Sequence, residues 1–184
     1  MYPINSHTSR LQIRKLEISD IELWEPFFEN NPSLPYLGLN LVLDKKTQAK
    51  DWIDRQLWRY ANNKFGHHAL IEKTSGRFVG QCGLLLQEVD GQEEIEVGYS
   101  LLPEFWGKGY ATEAACFFRD FAFEEKLCHS LISIIDIRNV ASQNVAMKLG
   151  MKKTRQIKYQ ELEVFIYRVE EKARRKNNHP EIKN

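Results

Sequence analysis

The spacing of apolar and polar positions changes period several times along the chain. From Arg10 to Leu16 ("RLQIRKL") apolar residues recur at every second position, a strand period, with Leu11 and Ile13 on one side. Ser19 and Asp20 then offer an N-cap to a helix carrying Ile21, Leu23, Trp24, Phe27 and Phe28. Asn30–Gly38 ("NNPSLPYLG") breaks the pattern with two prolines and a glycine, and reads as a loop. Helical spacing returns from Thr47 to Asn62 through Trp52, Ile53, Gln56, Leu57 and Tyr60.

Three strand-like runs follow: His68–Lys73, Arg77–Gln87 and Glu93–Leu102. The joins "TSG" and "VDGQ" are too short for parallel crossovers, so these strands are expected to be antiparallel. Gly107–Phe123 has the clearest helical pattern and Ser130–Ile137 reads as a buried strand. Ser142–Leu149 is a short helix ended by Gly150, and Met151–Ile157 with Gln160–Val169 form a last hairpin. The charged tail 171–184 is expected to fray. The result is an α+β order with one strand–helix–strand crossover, Glu93–Ile137.

The length, 184 residues, suits one domain, with a core expected over residues 8–170. Lys+Arg 26 against Asp+Glu 25 leaves a net charge of +1, which gives no reason to expect nucleic acid as a partner. No apolar run spans a bilayer and the N-terminal stretch has no signal-peptide core, so no membrane partner is expected. Cys82, Cys116 and Cys128 are odd in number and form no CxxC pair, which favours a reduced, cytoplasmic chain.

The crossover holds the stretch with most chemistry, "PEFWGKGYATEA" from Pro103. It is not a Walker loop, because GxxxxGK[ST] is not met. It is a poor dinucleotide loop, because Thr112 replaces the third glycine and the preceding strands form a meander. A third reading is a diphosphate cradle for coenzyme A. Gly109 permits close backbone approach, the amides of Gly107–Thr112 open a helix, and Lys108 adds charge at the rim beside small Ala111. A glycine turn that merely starts a helix is the plain alternative, and the glycines alone do not separate the two.

The stretches "EIEVGYSLLPEFWGKGYATEA" and "NVASQNVAMKLGM" together resemble the GNAT superfamily of N-acetyltransferases. The family signature [QR]xxGx[GA] aligns with Trp106-Gly107-Lys108-Gly109-Tyr110-Ala111, with Trp106 departing from the usual Gln or Arg. "GQCGL" at Gly80–Leu84 and "TSRLQIR" from Thr8 are similar to the ribosomal-protein alanine and serine N-acetyltransferase (RimJ/RimL-like) branch. The resemblance spans about Thr8 to Tyr167. It implies a mixed, mostly antiparallel twisted sheet flanked by helices, with two parallel strands, Glu93–Leu102 and Ser130–Ile137, splayed around acetyl-CoA.

It also implies roles. The pantetheine arm is expected along Ser100, Leu101 and Leu102, and the diphosphate on Gly107, Lys108, Gly109, Tyr110, Ala111 and Thr112. An amine attacks the thioester directly, so a base is needed, and Glu96 is expected in that role with Glu94 as its alternate. Both also read plainly as solvated strand carboxylates. Whether Glu96 titrates high or low is left open, because desolvation and a nearby ammonium oppose each other. The tyrosine that many members use on the leaving thiolate is replaced by Ala146, which moves that role to Ser142, with Asn139 on the pantetheine arm or a bridging water. Asn139 and Ser142 also read plainly as caps of a helix that starts near Ala141.

Acetyl-CoA and an amine acceptor, a protein N-terminus or a small molecule, are therefore the expected partners, and no metal is expected. An aminoglycoside or polyamine acceptor is the enzymatic alternative, and a non-catalytic acyl-CoA-binding domain is the alternative of another class. A homodimer stays open. His67 and His68 have no ligand-spaced partners for a metal, Cys82 reads as core, and Glu104 reads as structural. Trp24, Trp52 and Trp58 fit apolar helix faces, and Tyr36 is the loop residue expected nearest the acceptor.

Overall fold

The computed structural model describes residues 5–40 and 42–171, so most of the charged tail lies outside the described residues. The strands are β1 (Ser6–His7), β2 (Leu11–Arg14), β3 (His67–Glu72), β4 (Phe78–Val89), β5 (Gln92–Leu101), β6 (Ser130–Asp136), β7 (Lys152–Tyr159) and β8 (Leu162–Glu170). They form one sheet in the order β1-β2-β3-β4-β5-β6-β8-β7. Every neighbouring pair is antiparallel except β5 and β6. The expected α+β class and the parallel crossover are both present.

The helices are α1 (Asp20–Trp24), α2 (Lys45–Ala61), α3 (Tyr110–Glu124) and α4 (Val140–Lys148). Several bounds differ from the expected ones for local reasons. The first helix is short because Pro26 cannot continue an α ladder, and Glu25–Phe28 tightens into a 3-10 turn. Ser19 makes no side-chain cap, and the buried Asp20 carboxylate instead binds Arg14 at 2.7 Å. α2 starts two residues before Thr47 because Asp44 caps it, accepting from the Lys46 and Thr47 amides.

Period-two alternation places neighbouring side chains on opposite faces of the sheet. The His68 ring lies 5.6 Å from Phe118 of α3, whereas the His67 ring lies 6.3 Å from Trp52 of α2. On the α3 side, Ala114, Ala115, Phe118 and Ala122 are buried in one core with Leu84, Val97, Leu131 and Ile135. Cys82 belongs to that core, and burial raises its thiol pKa, as fits an inert apolar residue. On the other face α1 and α2 cover one end through Trp24, Phe27 and Trp52. A second small cluster, Val89, Ile132, Val164 and Ile166, covers the far end. A cleft opens between the two. Trp58, expected inside, is 55% exposed and carries Lys64 over its ring.

Candidate active site

The cleft begins where β5 and β6 part. They share a single Cα pair, Glu96 with Ile132. In a continued parallel ladder the Ile134 amide would next meet the Val97 carbonyl. Two side chains take those groups instead. The Glu96 carboxylate accepts from the Ile134 amide at 3.1 Å, and the Ser133 hydroxyl donates to the Val97 carbonyl at 2.9 Å. The strands can therefore separate without leaving either group unpaired, which a buried gap would otherwise penalise.

Glu96 is 8% exposed, and its other oxygen accepts from Gln87 Nε2 at 2.7 Å. Burial pushes its pKa above the ordinary 4.5, against the lowering by the Gln87 and Ile134 hydrogen bonds. The reading as a solvated carboxylate is thus wrong for Glu96. Glu94, on the same face, is held in an ion pair with Arg168, which also binds Ser130 Oγ at 2.6 Å. Of the two carboxylates, Glu96 is the one that lines the cleft.

Past the parting point, the Leu102 amide bonds to the Val79 carbonyl of β4 at 3.0 Å. Alternation turns Ser100 toward β4 in the same way and turns the backbone of Tyr99 and Leu101 toward the gap. Trp106, which occupies the departing position of the glycine signature, donates from Nε1 to the Leu101 carbonyl at 2.8 Å. It braces the strand end from its own loop.

The loop then passes Gly107 and Gly109, with φ of +73° and +83°. Left-handed backbone of this kind favours glycine, and space is open around a Cβ at Gly107. α3 begins at Tyr110, three residues later than expected, because these glycines are not helical. The first α-type bond is Glu113 N–H to the Gly109 carbonyl, so the amides of Tyr110, Ala111 and Thr112 precede the helical ladder. The loop is clamped from just ahead of β2: Arg10 donates to the Lys108 carbonyl at 2.8 Å and to Glu113 at 2.7 Å, and stacks over Tyr110. Lys108 lies over Phe105, and Glu104 pairs with Arg77, the structural role expected of it.

Opposite the loop, Asn139 caps α4, its Oδ1 accepting from the Ser142 amide at 3.1 Å. The helix therefore starts at Val140, two residues before Ser142, and ends at Gly150 with φ of +81°. The Tyr99 hydroxyl donates to the Ser142 carbonyl at 2.8 Å, tying the strand to the helix across the gap.

The cleft, of about 240 Å³, brings together Glu96, Ser100, Asn139 and Ser142 among the expected residues, while the loop from Gly107 to Thr112 lies outside its lining. Tyr36 also lines it, under the Arg138 guanidinium at 5.1 Å. Arg138 is paired with Asp136 at 2.7 Å, whose carboxylate those hydrogen bonds hold below its ordinary pKa. The sequence reading missed Gln87, Tyr99, Ser133 and His67 in this cleft. Each is named by strand register or by a long-range contact, which no local motif carries. Among the described residues no His/Cys/Asp/Glu group is arranged for a metal, and no helix is long and apolar enough to cross a membrane.

Residues 10–152 match the acetyltransferase (GNAT) domain family. The uncharacterized Bacillus subtilis protein YkkB is 32% identical over 165 residues, covering 87% of this chain and 92% of its own. An acetyltransferase structure from Agrobacterium tumefaciens superposes with a TM-score of 0.77 at 24% identity, over 93% of this chain and 96% of that one. RimL, a ribosomal alpha-N-protein acetyltransferase in complex with coenzyme A, gives a TM-score of 0.75 at 12% identity, over 93% and 99%.

Proposed function

Because this chain belongs to the GNAT family of acetyltransferases, we propose that it moves an acetyl group from acetyl-CoA to a primary amine held in the β5–β6 cleft. The observation that carries this reading is the parting of the two strands at Glu96, with the glycine loop at the end of the strand that bears it.

The residues fit acetyl-CoA. The amides ahead of α3 and the positive end of that helix suit a diphosphate, with Lys108 at the rim. The gap-facing N–H groups of Tyr99 and Leu101, rather than those of Ser100 and Leu102, suit the amides of the pantetheine arm. One of them also suits the thioester oxygen, where it polarises the carbonyl and stabilises the developing oxyanion.

The acceptor amine must lose a proton to attack, and most amines are protonated at neutral pH. Glu96 takes that proton, directly or through one water. Its raised pKa brings it closer to the range where a general base works near neutrality. Attack then expels the thiolate, and the Ser142 hydroxyl at the α4 start is the donor we assign to it. Asn139 holds the first turn of α4 in place through its cap, so its role is positioning Ser142.

A protein α-amino group is the acceptor we favour, because RimL shares the fold and carries that description, and a small amine is the second reading. The test is a panel of short peptides with free N-termini and small amines, incubated with acetyl-CoA while free thiol is followed. Release that requires both the enzyme and an amine supports acetyl transfer. Acetyl-CoA binding without release from any amine would leave a binding domain.

A further inference from the structure

His67 stands at the start of β3, 5% exposed, with its ring in the cleft. Its backbone is fixed on both sides: the amide donates to Gln56 Oε1 at 2.9 Å, and the carbonyl accepts from the Tyr60 hydroxyl. Its ring is not. Neither Nδ1 nor Nε2 has a hydrogen-bond partner among the described residues. A neutral imidazole carries one N–H donor and one bare acceptor, and both are costly to bury unpaired.

The register shows how the ring reaches the cleft. His67 pairs with Gly83, and Gly83 pairs with Gly98. The imidazole lies over Gly98 on the cleft face of the sheet. A Cβ at Gly98 would stand 2.7 Å from Nε2, whereas one at Gly83 would meet backbone, 2.3 Å from the Gly66 carbonyl oxygen and 2.8 Å from the His67 Cα. β5 has thus given up a side chain where this ring lies, and β4 one where the backbone of Gly66 and His67 passes. Gly98 is two residues from Glu96 on the same face, about 7 Å along the strand. An acceptor whose amine meets Glu96 therefore brings the atoms next to that amine under the ring. Burial pushes the imidazole pKa down to about 3, so the ring meets its ligand uncharged.

We propose that His67 is an acceptor-specificity residue: its ring hydrogen-bonds an uncharged polar group, an amide or a hydroxyl, carried beside the acceptor's amine. A carboxylate or a second ammonium at that place gains no charge partner from it. The proposal rests on the acetyl-transfer reading and narrows its acceptor to amines such as a peptide N-terminus, whose first amide sits two bonds from the nitrogen.

The test uses two amines of one shape, glycinamide and isobutylamine, with acetyl-CoA as donor. Wild type should favour glycinamide in kcat/KM. In His67→Phe, which fills the space without hydrogen-bonding, that preference should collapse by at least about tenfold, the loss expected when a paired polar group loses its partner. His67→Gln should restore part of it. A merely structural role would lower both amines together and leave their ratio unmoved, and that result overturns the proposal, as does a wild type with no preference. Wild type that turns over neither these nor any other amine defeats acetyl transfer itself, and the proposal with it. Calorimetry on acetyl-CoA separates that failure from a misfolded variant.

Discussion

The two ends of the cleft are built by different means. The glycine-loop end is made of backbone: two left-handed glycines, three amides ahead of a helix, and a strand end held by Trp106. All of that lies within Leu101–Glu113, braced from a distance by Thr8, Arg10, Glu72 and Arg77. The Glu96 end is made of side chains from separate strands: Gln87 of β4, Glu96 of β5, Ser133 of β6 and His67 of β3. The difference teaches where binding and chemistry reside. A diphosphate is the same in every turnover and suits a fixed backbone cradle. On the proposed function an acceptor is chosen, and we assign the choice to side chains that register brings together.

That contrast makes substitutions at the two ends separable. The largest effect is expected at the side-chain end. Glu96→Gln keeps the shape and the Ile134 hydrogen bond, so acetyl-CoA affinity by calorimetry should hold while kcat falls at least about a hundredfold. A parallel loss of affinity would show that Glu96 serves binding and would blur the contrast. The backbone end should behave in reverse. Gly109→Val forces a β-branched residue to a φ of +83°, where strain costs about 1–3 kcal/mol, and it crowds the diphosphate. Acetyl-CoA affinity should fall by about thirtyfold or more while the far-ultraviolet spectrum is retained, and unchanged affinity in the folded variant would remove the cradle.

Smaller effects sharpen the picture. Ser142→Ala should lower kcat by about tenfold, and by more than it raises the KM for acetyl-CoA, the signature of a donor felt mainly in the transition state. A raised KM at constant kcat would make Ser142 a binding residue. The smallest effect concerns stability. A carboxyl whose folded pKa is raised binds its proton more tightly folded than unfolded, so its contribution falls as pH rises from the ordinary 4.5 through the raised value. Glu96→Gln, which has no charge to bury, should therefore gain in Tm relative to wild type as pH rises above the ordinary 4.5. A difference that shrinks over that rise would contradict the cause assigned to the shift.

Local chemistry made one half of the site legible. The helix after Gly109, the strand before Pro103 and the cap at Asn139 all follow from short-range patterns. So did the meander, because its turns are too short to cross over. Where a bound missed, a neighbour's chemistry outweighed the period: Pro26 ended α1, and Asp44 started α2 early. The other half was out of reach. Nothing near His67 in the chain says that Gly98 will lie beneath its ring, because that follows from pairing through Gly83 with a residue 31 positions away. The direction of the Leu102 amide was out of reach for the same reason: which strand an amide faces is settled by the ladder, not by the residue.

The most direct test of the account is the pH profile of kcat for wild type and Glu96→Gln at saturating acetyl-CoA and amine. With Glu96 as the base, wild-type kcat should rise with pH through a value above 4.5 and then level off. The variant should start far lower and keep climbing as solvent supplies the neutral amine. Two profiles of the same shape, within a few-fold of each other at neutral pH, would contradict the central claim that the carboxylate at the strand parting draws the proton from the acceptor.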